Sequence, residues 1–142
     1  MKRYLAEPGS DQIIEIFDRA DSIGMAIISR AEVAATFAKT VRTGTLEQKE
    51  ALALLQVFRT EWQDWIRIQI TEQLVTRADA LAWEHNLRGY DAVHLAAALI
   101  WQETLGTPIT IATFDQQLWR AAKRVGLIPF PTEPPAIKTK KP

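Results

Sequence analysis

Apolar residues along this chain recur in two rhythms, and the switches between them mark its elements. Ser10 is a favoured N-cap, and Ile13, Ile14 and Phe17 fall at helical spacing, predicting a helix that ends near Ala20. The run from Ile23 to Ser29 is apolar without alternation and reads as a buried strand. A helix from about Arg30 to Arg42 follows, with Gly44 as its stop. Thr45 with Gln48 three residues on has the form of a capping box, opening a helix that carries Leu46, Leu52, Leu55 and Phe58. Trp65 to Ile70 alternates as a strand does.

In the second half, Thr71 or Thr76 opens a helix running to about Asn86, with Leu74, Ala78, Leu81 and Ala82 on its inner face. A nearly all-apolar helix covers about Tyr90 to Glu103. Pro108 leads into a strand from Ile109 to Ala112, and Asp115 caps a helix bearing Leu118, Trp119 and Ala122 that Gly126 ends. Leu127 to Phe130 forms a last short strand. No two strands are joined by a tight hairpin turn, so strands alternate with helices. That order predicts an α/β fold, a parallel sheet covered by helices, whose binding groups stand beyond the carboxyl ends of the strands. The domain is expected over residues 1–130. The stretch from Pro131 to Pro142, with four prolines and three lysines, is expected to be a mobile tail.

At 142 residues the chain is long enough for one domain with a real core, and 47% apolar residues favour folding over disorder. The absence of cysteine excludes disulfides, thiolate metal sites and cysteine nucleophiles, and points to a reducing compartment. No signal-peptide core or membrane-length apolar run appears, so a cytoplasmic protein with no membrane partner is expected. Seventeen basic residues balance seventeen acidic ones, which removes bulk charge as an argument for nucleic-acid binding.

Candidate chemistry lies in the acids. Asp115 follows a strand and opens a helix; Asp91 lies in the first turn of the apolar helix; Glu32 lies in the first turn of the helix after Ile23–Ser29. Singly, each reads better as a cap or a dipole-complementing acid. Together, on one rim of a parallel sheet, they would repel one another without a cation, and hard divalent ions take such oxygen ligands. Ser29 and Thr113 precede two of these acids and either cap helices or bond a carboxylate or a metal-bound water. Arg88, three residues before Asp91, either holds a phosphate or orients the acids. Lys2, Arg3 and Arg30 extend a basic rim or are solvated charges, the latter favoured for Lys2 and Arg3. His94 is favoured as a packed or hydrogen-bonded histidine over a ligand, and His85 as an ordinary residue near a helix end. Trp62, Trp65, Trp83, Trp101 and Trp119 are assigned to core or dimer contacts rather than base stacking. A glycine-rich phosphate loop and a Ser/His/Asp constellation with a nucleophile elbow are both lacking, and the absent loop counts against an unrelated α/β phosphatase or nucleotide-binding domain.

The segments Arg88-Gly-Tyr-Asp91-Ala-Val-His-Leu-Ala-Ala-Ala and Ala-Thr-Phe-Asp115 resemble the last two acidic motifs of PIN-domain ribonucleases, in particular the VapC toxins of bacterial toxin–antitoxin pairs. Ser29-Arg-Ala-Glu32 is similar to the second acidic motif, and Lys2 to Ser10 to the segment after the family's first strand. The resemblance covers about Lys2 to Phe130. It implies a three-layer α/β/α PIN-like domain acting as a Mg2+- or Mn2+-dependent endoribonuclease. Glu32, Asp91 and Asp115 would be the metal-binding catalytic acids, and RNA, a cognate VapB-type antitoxin and a second copy of the chain the partners. The family's first strand and its aspartate have no counterpart here, and Met1 falls where relatives often carry valine. The expectation is therefore a late start or a truncated gene, and the alternative function is an inactive remnant that binds an antitoxin or dimerises.

Overall fold

The computed structural model describes residues 2–137. The order of elements is α1 (Ser10–Arg19), β1 (Gly24–Ala26), α2 (Ser29–Arg42), α3 (Gln48–Trp62), β2 (Ile66–Ile68), α4 (Glu72–His85), α5 (Gly89–Leu105), β3 (Thr110–Ala112), α6 (Gln116–Arg124) and β4 (Ile128–Phe130). Every predicted element is present in its predicted order, but among the described residues the strands pair in two separate sheets rather than in the one sheet expected. The strands are short. They form two two-stranded sheets, β1 with β2 and β3 with β4, the second parallel with Thr110 opposite Ile128 and Ala112 opposite Phe130. The chain divides into two compact units, residues 1–67 and 68–142.

The core of the first unit is aromatic. Phe37 of α2 meets Ala51, Leu55, Phe58 and Trp62 of α3, with Trp65 closing the cluster. Phe58 lies 5.6 Å from Trp62 and 5.8 Å from Trp65 between ring centroids, and Trp65 also takes the edge of Phe17 at 5.8 Å. Such tilted and edge-on pairs add to the burial that already holds α2 against α3. Arg3, expected to be a solvated charge, instead bridges to Glu61 at 2.7 Å and stacks over Phe17 at 4.6 Å. Lys2 likewise donates to the Pro8 carbonyl at 2.6 Å. Through Arg3 the N-terminal segment is thus tied to partners distant in sequence.

Three local expectations are corrected here. Gly9, in left-handed backbone at φ 91°, caps α1, while Ser10 is its first helical residue and donates its hydroxyl to Leu5 O. The capping box belongs to Glu47 and Glu50 rather than Thr45 and Gln48, because Thr45 follows the left-handed turn at Gly44 and its hydroxyl meets Thr43. The strand after Ile23 stops at Ala26. Ile27 and Ile28 lie in the turn into α2 and are exposed, so the run is only partly a buried strand.

The second unit is packed with small residues. Ala92, Leu95, Ala96, Ala97 and Leu99 of α5 are buried, Ala96 completely, against an α4 face carrying Leu74, Ala78 and Leu81. Alanines let helix backbones approach closely, and interiors packed this way resist displacement. Thr71 caps α4 by accepting from Leu74 N at 3.1 Å, which decides between the two predicted starts. Buried Leu118, Trp119, Ala121 and Ala122 seat α6, and Trp119 Nε1 donates to Pro131 O at 2.7 Å. Trp62, Trp65 and Trp119 are core residues as expected. Trp83 is not: it is 92% exposed on α4. The expected tail begins beyond Phe130, and its residues 138–142 lie outside the described residues.

Candidate functional site

The second unit brings two of the three predicted acids together. Asp115 ends the segment after β3 and caps α6, its Oδ1 accepting from Leu118 N at 2.9 Å. The turn that delivers it is fixed on both sides. Thr113 N donates to Phe130 O at 2.9 Å, extending the β3–β4 ladder by one bond, and Asp115 N donates to Thr113 Oγ1 at 3.1 Å. Thr113 therefore acts through backbone geometry, a hydroxyl-closed turn of the kind threonine favours before a helix. Cap duty occupies Oδ1 and leaves Oδ2 directed at a second partner.

That partner is Arg88. It is the N-cap residue of α5, with extended backbone, and its side chain folds back over the first helical turn. Its Nε donates to Asp91 Oδ2 at 3.2 Å and its Nη2 to Asp115 Oδ2 at 3.5 Å, so one guanidinium spans both carboxylates. The Tyr90 ring lies 4.9 Å from the guanidinium carbon, a cation–π contact invisible to the sequence reading. The Asp91 side chain is buried, that of Asp115 is half-buried and that of Arg88 is 61% exposed. The arrangement is a sunken carboxylate, a second at the rim, and an exposed cation that spans them.

Electrostatics follow the geometry. Burial raises the Asp91 carboxyl above its ordinary value, Arg88 opposes that rise, Asp115 reinforces it, and His94 acts with Arg88. The Arg88 guanidinium is raised in turn, chiefly by Asp91. For Asp91 the neighbouring carboxylate disfavours the charged form and the guanidinium favours it.

Glu32 and Ser29 belong to the first unit. Glu32 lies half-buried in the first turn of α2, its carbonyl accepting from Thr36 Oγ1 at 2.8 Å, and Ser29 is buried at the start of that helix. Among the described residues, no three His, Asp or Glu side chains gather as a ready metal cage. The Asp91–Asp115 pair nevertheless fits a hard divalent ion: its donors are carboxylate oxygens, and a cationic group already stands between them.

A PIN domain model matches residues 4–124, so the chain belongs to the PIN domain family. The chain is similar to two ribonucleases of Mycobacterium tuberculosis, VapC45 of strain CDC 1551 / Oshkosh and VapC49 of strain ATCC 25618 / H37Rv. Each is 29% identical over 127 residues, covering 89% of this chain and 85% of the relative.

Proposed function

We propose that this protein is a metal-dependent endoribonuclease, the toxin of a VapB–VapC-type toxin–antitoxin module. The observation that carries the reading is the Asp91–Asp115 carboxylate pair, spanned by one cationic group at the end of strand β3. The likeness to two VapC ribonucleases over most of the chain supports RNA as the substrate class. A VapB-type antitoxin and a second copy of the chain are part of the proposal through the resemblance of the acidic motifs. Among the described residues, no helix is long and apolar enough to cross a membrane.

Asp91 and Asp115 would hold Mg2+ or Mn2+. When bound, such an ion supplies positive charge to a phosphoryl oxygen and lowers the pKa of water. The remaining work falls to the protein's own groups. Asp91, fixed in a buried helical turn, presents a carboxylate that cannot relax into solvent. Asp115, locked by its cap bond, presents Oδ2 in a set direction, so little reorganisation is required when the substrate phosphate arrives. Arg88 neutralises part of the acid pair's charge, lessening repulsion of an incoming RNA backbone.

The test is cleavage of single-stranded RNA by the full chain with Mg2+ or Mn2+, compared with Asp91→Asn. Cleavage that falls about a hundredfold or more in the variant, the scale of losing a preorganised electrostatic group, supports the reading. Absent cleavage by a protein that still binds a VapB-type antitoxin would replace it with that of an inactive, antitoxin-binding remnant.

A further inference from the structure

Arg88 is at the centre of the acid pair yet is its most exposed member, and that combination carries a consequence. Its guanidinium reaches the Oδ2 atoms of both Asp91 and Asp115, at 3.2 and 3.5 Å. Those oxygens are the ones a divalent ion would take, since Asp115 Oδ1 is engaged with Leu118 N. A guanidinium and a metal ion cannot share one pair of lone-pair directions without strong charge repulsion. The Asp91 position is fixed by the buried face of α5, and the Asp115 position by its cap and turn. Arg88 is fixed by neither. Its side chain is 61% exposed, with the guanidinium over the Tyr90 ring.

We propose that Arg88 is a built-in competitor for the metal: its guanidinium and the divalent ion exchange for the same two carboxylate oxygens, so that Arg88 sets how tightly the site takes its ion. The inference rests on the metal-site reading above and extends it to a positioning residue that weakens, rather than strengthens, ion binding. The exchange needs only side-chain rotation. Rotating outward frees both carboxylate oxygens, and rotating inward restores the pair.

A direct measurement is Mn2+ affinity by calorimetry or by electron paramagnetic resonance of free Mn2+, on the full chain and on Arg88→Ala, Arg88→Lys and Asp91→Asn. Removing two exposed ion-pair contacts is expected to tighten Mn2+ binding in Arg88→Ala by about three- to tenfold. Arg88→Lys, a point charge unable to span both oxygens, falls between wild type and Arg88→Ala. Asp91→Asn binds more weakly than wild type. If Arg88 merely orients the acids, Arg88→Ala binds Mn2+ equally well or more weakly, and the proposal is overturned while the metal site stands. If wild type and Arg88→Ala both bind no Mn2+, the metal-site reading falls and this proposal with it. Unchanged far-ultraviolet circular dichroism and melting of Arg88→Ala establish that any tightening comes from the site itself.

Discussion

The two units solve the packing problem in opposite ways. The first interlocks a few large rings, Phe37, Phe58, Trp62 and Trp65, each filling space no neighbour could replace. The second buries many small residues among its leucines, with Ala96 and Ala122 fully buried. The difference teaches where function can be placed. A ring cluster stabilises but tolerates small rotations. Asp91 stands in the first turn of α5 and Asp115 at the N-cap of α6, the helices that carry those buried alanines.

The comparison can be broken first at its largest expected effect. Trp62→Ala should cost roughly 3–5 kcal/mol, the range for deleting a buried large aromatic, read as a lowered denaturation midpoint. Activity per folded molecule should change little, and a selective activity loss at full stability would contradict the division of labour. Next, Ala96→Leu should cost about 1–3 kcal/mol by overpacking, and here the folded fraction should lose metal affinity as α5 shifts. Retained affinity would show that the alanine contact does not aim the acid. Thr71→Ala, deleting the bond to Leu74 N, should cost about 1 kcal/mol with no change in ion binding.

The smallest effect is one of pH. Burial raises the Asp91 carboxyl, so the folded protein holds that proton more tightly than the unfolded chain. Its contribution favours the fold below the unfolded carboxyl's pKa and is lost as pH rises through the raised folded value. Asp91→Asn removes that loss. The variant should therefore gain stability over wild type at neutral pH, with the gap closing in acid. A gap that widens on acidification would reverse the assigned cause.

Much of this was legible in the residues. The alternation of elements and the cap roles of Thr71 and Asp115 rest on local patterns, which a sequence states most clearly, while the pairing of Asp91 with Asp115 was legible through the order of strands and helices and the resemblance of the motifs. What escaped were choices decided by distant partners or by the path of the turn. Arg3 looked solvated because Glu61 lies 58 residues away. Ile27 and Ile28 looked buried because an apolar run does not announce where the backbone turns. Thr45 fitted a capping template that the chain uses two residues later, at Glu47. Trp83 is the clearest case. Helical periodicity marks a face, but it does not say whether anything covers that face, and in the second unit Trp83 stands 92% exposed.

The single bond from Thr113 N to Phe130 O reaches further than its size indicates. It makes the aim of Asp115 depend on a strand that holds none of the predicted site residues. With Trp119 anchored on the Pro131 carbonyl, the far end of the chain acts as a buttress for a carboxylate it never touches. A chain cut after Leu127 would keep every residue named for the chemistry and lose the member that braces one of them. In this domain a list of site residues is therefore a smaller object than the site.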